Sequence, residues 1–449
     1  MNPPVKVFKF GGSSVKDAES IRNVAAILQR YADEPLVVVV SAMGKTTNAL
    51  EEVIAAHARR NGAALSLLEQ IKAWHYGIAR ELFGADEELF KTLHDAFVEV
   101  EWVLEEEPHD NYDFMYDQII GVGEMVSSRI LWAYLNKQGL KTHWLDARDV
   151  IITDDIFREG WVQWPETVAN ARRLVPPLLE QGGFVLTQGF IGRTTENFTT
   201  TLGREGSDYT AAIFSYCLDA ESMTIWKDVP GVLTGDPRIF DNVVKLDRLS
   251  YREAIEMTYY GAKVIHPKTI KPLQNKSIPL YVKSFLDPDG SGTYIGGDVE
   301  DHYPPMVAIE SNQALINIAT RDFSFVAEHH MSYLFNKIAE LRLQVNMMQN
   351  TAISFAVCVN NVDDKVERFV KSIEKDFRVT VDNENLELIT VRHYQNDLLE
   401  SLRSGKIILL EERIRNTVQM VVKDVPMMRR KPKPEEQRPQ AFLTDTPTP

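Results

Sequence analysis

Three stretches of this 449-residue chain combine glycine, hydroxyl and charged residues in patterns suited to holding an anion. The first is Lys9-Phe10-Gly11-Gly12-Ser13-Ser14, a lysine at a strand end beside two glycines and two hydroxyls where a helix begins. Backbone N–H groups at a helix N-terminus attract anions, and glycine lets a ligand approach the main chain closely. A Gly-Gly turn at a strand end serves structure as readily, so this stretch does not decide the matter alone. Gly189-Phe190-Ile191-Gly192 and the run from Thr199 to Ala212 say more. That run sets hydroxyls, Gly203, Arg204, Glu205, Gly206 and Asp208 ahead of a helix pattern over Tyr209–Leu218. Such a loop can hold an oxyanion while its charged side chains reach a substrate.

Two familiar phosphate signatures are absent. Gly44-Lys45-Thr46 has the close of a Walker A loop, but that motif needs a glycine five positions before Gly44, and position 39 is Val. Gly121-Val122-Gly123 opens like a dinucleotide fingerprint, yet Val126 stands where its third glycine belongs.

The elements that must position these loops read as α/β. Val5–Phe10 is a strand, Asp17–Tyr31 a helix with Ile21, Val24, Ala25, Ile27 and Leu28 on one face, and Leu36–Val40 a second strand. A β-branched run without polar alternation is buried on both faces, as in a parallel sheet, and the βαβ order agrees. Residues 48–139 are helical in pattern, with acidic runs (Asp86-Glu87-Glu88, Glu105-Glu106-Glu107) read as solvated faces rather than a metal site. Strands return at Lys141–Leu145, Gly183–Thr187, Met223–Trp226 and Pro279–Val282, with a helix at Tyr251–Tyr260. The Asp287–Gly292 loop places the end of the first domain, residues 1–300, near position 300.

Residues 305–425 change character. Leu315–Ala319, Met331–Leu341, Gln344–Met348, Ile353–Val359, Lys365–Phe377 and Val379–Val381 give strand, helix, strand, strand, helix, strand, the ferredoxin-like order. Leu386–Arg392, Lys406–Leu410 and Thr417–Val422 follow as further strands, with a short helical piece at Asn396–Arg403. Residues 426–449 hold six of the 21 prolines and a small basic patch, the composition of a disordered tail.

Composition narrows the class. With 49 Lys+Arg against 64 Asp+Glu the net charge is −15, which disfavours nucleic acid and anionic membrane as partners. Cys217 and Cys358 are two isolated cysteines in apolar contexts, too few for a disulfide framework or zinc site. Met1–Lys6 lacks a signal-peptide core and no apolar run is long enough to span a bilayer, so the expected location is cytoplasmic.

Taken together, Lys9–Ser14, Thr187–Gly192, Thr201–Ala212, Asp228-Val229-Pro230-Gly231 with Asp236-Pro237-Arg238, and Tyr260–Pro267 resemble the aspartate kinases. The match runs in the family's order across nearly all of residues 5–300. It implies a three-layer αβα amino acid kinase fold followed by a ferredoxin-like ACT region. It also implies transfer of phosphoryl from ATP, with Mg²⁺, to the side-chain carboxylate of L-aspartate, the first step towards lysine, threonine and methionine. The residue types agree, because an aspartate carboxylate is already ionised at neutral pH and the task is to position two anions and offset their charge.

The resemblance also implies roles. Lys9, with Gly11 and Gly12, is similar to the family's phosphate-contacting lysine turn, and Asp208 to the acid that orients that lysine. Arg204 resembles the arginine that grips the substrate α-carboxylate through a bidentate fork, and Glu124 the acid that binds its α-amino group. Ser41 and Thr47 resemble the hydroxyls lining the aspartate pocket. For ATP the matching positions are Lys9, Lys227, Asp228, Arg238 and Lys263, with Leu233 where many relatives carry Tyr. No protein metal ligand is named, since Mg²⁺ rides on the nucleotide phosphates.

The ACT region departs from the family. Glu328-His329-His330-Met331 opens its first helix where relatives carry a Gly-Phe pair, and Asn346 replaces the Asp of lysine-sensitive relatives. Its second ACT unit is reduced, which suits assembly better than effector binding, and a homodimer through residues 305–425 is expected. Two rival readings are another amino acid kinase, acting on glutamate or acetylglutamate, and a catalytically silent sensor. The Arg204–Ala212 loop disfavours the first, and intact Lys9, Arg204, Asp208 and Lys263 disfavour the second.

Overall fold

The computed structural model describes residues 4–261, 265–300, 302–322, 324–362 and 364–424. Lys263 and the Pro-rich segment 426–449 therefore lie outside the described residues. Two compact units emerge, one of residues 4–232, 245–255 and 265–300, the other of 233–244, 256–261 and 302–424.

The first unit is built on strands β1 (Lys6–Phe10), β2 (Leu36–Val40), β3 (Thr142–Leu145) and β4 (Phe184–Gln188). A small antiparallel ribbon follows, β5 (Ile191–Arg193) with β6 (Thr199–Thr201). Strands β7 (Ser222–Lys227), β8 (Arg248–Ser250), β9 (Leu280–Ser284) and β10 (Thr293–Gly296) complete the set. All but the ribbon join one eight-stranded sheet of order β3-β4-β2-β1-β7-β9-β10-β8. Pairing is parallel from β3 through β9, and β10 turns antiparallel to β9.

Between β1 and β3 lie α1 (Ala18–Gln29), α2 (Thr46–Ala58), α3 (Ala64–Phe83), α4 (Glu87–Glu105), α5 (Tyr112–Ile120) and α6 (Val122–Lys137). Helices α7 (Trp164–Glu180), α8 (Gly206–Cys217), α9 (Tyr251–Tyr259) and α10 (Pro267–Asn275) come later in the chain. Asp17, read from the sequence as the start of α1, is its N-cap and accepts from Ser20 N at 2.8 Å. Every residue of β2 is buried, as its unbroken Leu-Val-Val-Val-Val sequence requires. Both cysteines are buried and unpaired.

Strand register decides which loops can meet. Phe10 lies opposite Val40 on one side and Trp226 on the other, and Val40 opposite Gln188. The C-terminal ends of β1, β2, β4 and β7 are thus level. The chain moves outward from β1 in one direction through β2 and in the other through β7, which makes this edge a topological switch point, where open α/β sheets bind ligands.

The second unit's sheet has six strands, β11 (Met306–Thr320), β12 (Val345–Asn350), β13 (Ser354–Asn360), β14 (Phe377–Arg392), β15 (Lys406–Ile414) and β16 (Thr417–Asp424). With α11 (Glu328–Glu340) and α12 (Lys365–Ile373) the first four form the ferredoxin-like order, and α13 (Asn396–Arg403) follows. The strand order is β12-β13-β11-β14-β16-β15, all antiparallel. The sequence reading separated Val379–Val381 from Leu386–Arg392, but both belong to the single strand β14. The polar Asp382–Asn385 stretch contains no proline or glycine, and β11 absorbs it with register shifts around Gln313. One core, on Ile316, Leu334, Phe355 and Phe369, fills the ferredoxin-like half. Around α13 a smaller core of Leu398, Leu399, Val418 and Met420 also takes in Phe240, from the 233–244 segment.

Candidate active site

The level strand ends gather the predicted anion-binding residues of the first unit. Lys9, at 8% exposure, projects from β1 and its Nζ lies 2.6 Å from Asp208 Oδ1 on the first turn of α8. Burial works against the Asp208 carboxylate, but the Lys9 ammonium, aided by Lys227, holds it below the usual range. Lys227 closes β7, with exposed Asp228 next to it.

The glycine turns close around this pair. A side chain on Gly11 would meet Lys9 Nζ at 3.5 Å, so the lysine head lies directly over that backbone. A Cβ on Gly12 would come within 2.8 Å of the carbonyls of Ala42 and Gly44, which locks the first turn against the turn after β2. Gly44 N donates to Gly12 O at 3.0 Å and Ser41 N to Phe10 O at 3.1 Å. Thr47 is half-buried in the first turn of α2.

Glu124 is buried near the N-terminus of α6. One of its oxygens accepts from Ala42 N at 3.2 Å, and Oε2 has no partner among the described residues. Burial pushes its pKa up to about 8, the Ala42 N–H and the Lys9 charge only partly offsetting it. Arg204 is exposed ahead of α8 and makes no hydrogen bond or ion pair among the described residues. The main chain turns sharply beside it, with Gly203 at φ +75° and Glu205 at φ 53°. Leu233 and Arg238 belong to the second unit, where Arg238 Nη2 pairs with Asp236 Oδ2 at 2.6 Å.

The sequence profile of the amino acid kinase family matches residues 4–284. The chain belongs to that family. Within it, the chain groups with the aspartokinases, being 32% identical to the lysine-sensitive aspartokinase 3 of Escherichia coli over 79% of this chain and 78% of the relative. It is 31% identical to the chloroplastic aspartokinase 1 of Arabidopsis thaliana, covering 82% and 67% of the two chains. Against a bifunctional aspartokinase/homoserine dehydrogenase of the same plant it is 32% identical, but spans only 42% of that protein's length. Its fold superposes on a crystal structure of E. coli aspartokinase III in complex with aspartate and ADP, with TM-score 0.82 and 26% identity over 93% of this chain and 96% of the other. A lysine- and aspartate-bound T-state of that enzyme gives TM-score 0.76 over the same shares.

In this member of the family, sequence reasoning missed the residues that hold the Arg204 loop. Fully buried Asp117, on α5, accepts from Thr201 Oγ1 at 2.8 Å, Thr201 N at 2.9 Å and Arg158 N at 2.8 Å. It ties β6, three residues before Arg204, to the 153–163 loop. Burial raises its pKa to about 6, and those three donors keep it from rising further. The one available signal was a lone carboxylate among the buried Met115, Tyr116, Ile119 and Ile120 of α5. His266, seen in the sequence only as part of a motif, caps α10 and feels Glu205, Arg204, Glu159 and Lys268, while burial lowers its pKa.

Asp117→Ala would strand three donors, each costing about 1–3 kcal/mol when buried and unpaired. We expect that variant to lose about 3 kcal/mol in urea unfolding, and Asp117→Asn, whose carbonyl still accepts, to lose far less. Equal losses for the two, or none, would remove Asp117 as the brace.

Proposed function

We propose that the chain transfers the γ-phosphoryl group of ATP to the side-chain carboxylate of L-aspartate, giving 4-phospho-L-aspartate and ADP. The buried Lys9–Asp208 pair at the switch-point edge carries this reading, with the orphaned Glu124 oxygen beside the same turns and the exposed Arg204 on the loop ahead of α8. The aspartate and ADP of the superposing E. coli structure support it. Lys9 offsets charge on the transferring phosphoryl oxygens, and Asp208 fixes the direction of its ammonium. Gly11 and Gly12 let phosphate approach the backbone. Arg204 takes the substrate α-carboxylate, Glu124 the α-ammonium, and Ser41 and Thr47 line the pocket. Lys227, Asp228, Leu233, Arg238 and Lys263 are the proposed nucleotide contacts. Among the described residues no three His, Cys, Asp or Glu side chains gather to hold an ion. Mg²⁺ would sit on the nucleotide's phosphate oxygens and supply charge neutralisation there.

No general base is required. The nucleophile arrives ionised, so the protein's work is alignment and preorganised charge. No helix among the described residues is long and apolar enough to cross a membrane. The buried, unpaired cysteines fit a reducing compartment, and we assign the cytoplasm.

The proposed domain division is catalytic for 1–300 and regulatory for 305–425. We infer that the latter responds weakly to lysine. Asn346 offers an effector's ammonium no carboxylate, and its neighbours hold it as an amide, with Nδ2 donating to Gln313 Oε1 at 2.8 Å and Asn360 Oδ1 at 2.7 Å. We also infer a homodimer through this sheet, whose edge strand β15 leaves Ile407 44% and Ile408 37% exposed. Light scattering across a dilution series should give twice the chain mass; a monomer throughout would overturn the assignment.

The direct test is hydroxamate formation with ATP and Mg²⁺, comparing L-aspartate with L-glutamate, each with and without lysine and threonine. Product from aspartate alone is expected, and product from neither acid by a folded chain would favour a silent sensor. Lys9→Met should lower kcat by about 10²–10³, the usual loss for one preorganised donor, and near-normal turnover would remove Lys9 from its role.

Glu124 adds a pH signature. An ammonium binds best to the ionised carboxylate, so with a pKa of about 8 in the free protein, substrate binding must expel a proton at neutral pH. KM for aspartate should therefore fall as pH rises from 6 towards 8, by up to about tenfold per pH unit. Glu124→Gln should bind more weakly and flatten that dependence. A KM independent of pH in the unmodified chain would show that Glu124 does not meet the ammonium.

A further inference from the structure

The first unit also holds a concavity whose lining includes none of Lys9, Glu124, Arg204 and Asp208. It has a volume of about 430 Å³ and is walled by α4, α5, the start of α6 and the β5–β6 ribbon. That volume falls within the roughly 300–1,000 Å³ of small-molecule sites. Val100, Val103, Phe114, Met125 and Ile191 give it an apolar body. Its polar groups are not spread evenly.

Glu99, Glu106 and Glu107, all exposed, are among its lining residues. Glu107 is paired with Arg60 at 2.9 Å, but Glu99 and Glu106 make no hydrogen bond or ion pair among the described residues. The cationic wall residue, Arg148, is neutralised by Asp146, with Nη2–Oδ2 at 2.8 Å, and its Nη1 donates to Thr199 Oγ1 at 3.2 Å. Negative charge is therefore in excess along the lining, with Glu99 within electrostatic reach of Arg148 and Glu106 making no ion pair among the described residues. His57, at the end of α2, also lines the cavity. It is 7% exposed, and its Nε2 has no hydrogen-bond partner among the described residues. A buried imidazole nitrogen without a partner beside an apolar cavity is costly unless something polar meets it.

We propose that this cavity is a second binding site, taking a small organic cation with an aromatic or branched apolar body. The apolar wall holds the body, Glu99 and Glu106 receive the cationic end, and His57 offers one further polar contact. The site also touches the machinery that carries Arg204. Gln118, on its wall, donates Nε2 to Thr199 O at 2.9 Å and accepts from Thr199 N at 3.2 Å. Thr199 begins β6, which Asp117 clasps at its other end, at Thr201. An occupant would therefore rest against the strand that leads into the Arg204 loop.

The test is isothermal titration of the full chain with phenethylamine and, separately, with 3-phenylpropanoate, which has a similar body and opposite charge. The amine should bind saturably at one site, about tenfold more tightly than the acid. Changing Glu99→Gln and Glu106→Gln together should erase most of that preference. Val103→Trp, at a half-buried wall position, should abolish amine binding with the circular dichroism spectrum unchanged, and Ala96→Phe provides a second filling variant should the first fail to fold. No saturable amine binding, equal affinity for amine and acid, or amine binding that survives a folded filling variant would each overturn the proposal. Binding is read directly, so the result stands apart from the outcome of the phosphotransfer assay.

Discussion

Two anions meet only where fixed positive charge and backbone N–H groups offset their repulsion, and under the proposed reaction that requirement would fall on Lys9. The Lys9 ammonium and the Asp208 carboxylate lie 2.6 Å apart, and Lys9 holds the buried Asp208 below the usual carboxylate range. Removing either would leave an uncompensated buried charge, which costs more than the pair contributes when intact. The surrounding geometry serves that mutual dependence. Lys9 is on β1 and Asp208 on α8, so the two meet only if α8 starts at the C-terminal edge of the sheet. Gly189 makes that start close enough, since a Cβ there would fall 2.4 Å from Ser207 Cβ. Gly12 does the same for the turns after β1 and β2.

The three buried carboxylates of this region are set apart by their surroundings. Asp208 has a cation in contact and stays ionised. Asp117 has three donors but no cation in contact, and its pKa rises to about 6. Glu124 has one backbone donor and rises to about 8. The order follows from how much positive potential and hydrogen bonding each receives against its own desolvation. It also separates their work: Asp208 is a permanent counter-ion, Asp117 a brace between two loops, and Glu124 a group whose ionisation awaits a partner. Under the proposed reaction that partner is the substrate ammonium, so the charge needed for recognition is supplied only when substrate is present.

How legible the molecule was in its sequence depended on whether the signal was local. Leu36–Val40 could be read to the residue because an unbroken β-branched run has one reasonable environment. The ferredoxin-like order of residues 315–381 was open too, but not its bounds: the first strand, read as Leu315–Ala319, begins at Met306, where pairing with β14 rather than local pattern keeps the chain extended. By contrast, β14 was divided in two because Asp382, Asn383, Glu384 and Asn385 look like a turn, and only pairing with β11 keeps them extended. The short strands β6, β8 and β10 were missed because three or four residues carry too little periodicity. Motif residues around Lys9 could be proposed from glycine and charge spacing. Asp117 could not, because its partners are 41 and 84 residues away and nothing near it in the sequence names them.

The same distinction accounts for Asn346. Read along the sequence, it is only a departure from the Asp of lysine-sensitive relatives. In the folded unit its amide nitrogen faces acceptors on every side, with Gln313 Oε1 at 2.8 Å, Asn360 Oδ1 at 2.7 Å and Glu310 Oε2 at 3.5 Å. Cys358 Sγ also donates to that Gln313 oxygen, at 3.4 Å, and Asn360 donates its own amide to Gln344 Oε1 at 3.1 Å. The position therefore needs a donor. An aspartate there would set a carboxylate against three oxygen acceptors, one of them the carboxylate of Glu310, and would hold only after both amides had turned over. The cluster is closed around an amide: its neighbours select Asn346, and an uncharged amide oxygen holds an effector's ammonium less firmly than a carboxylate would.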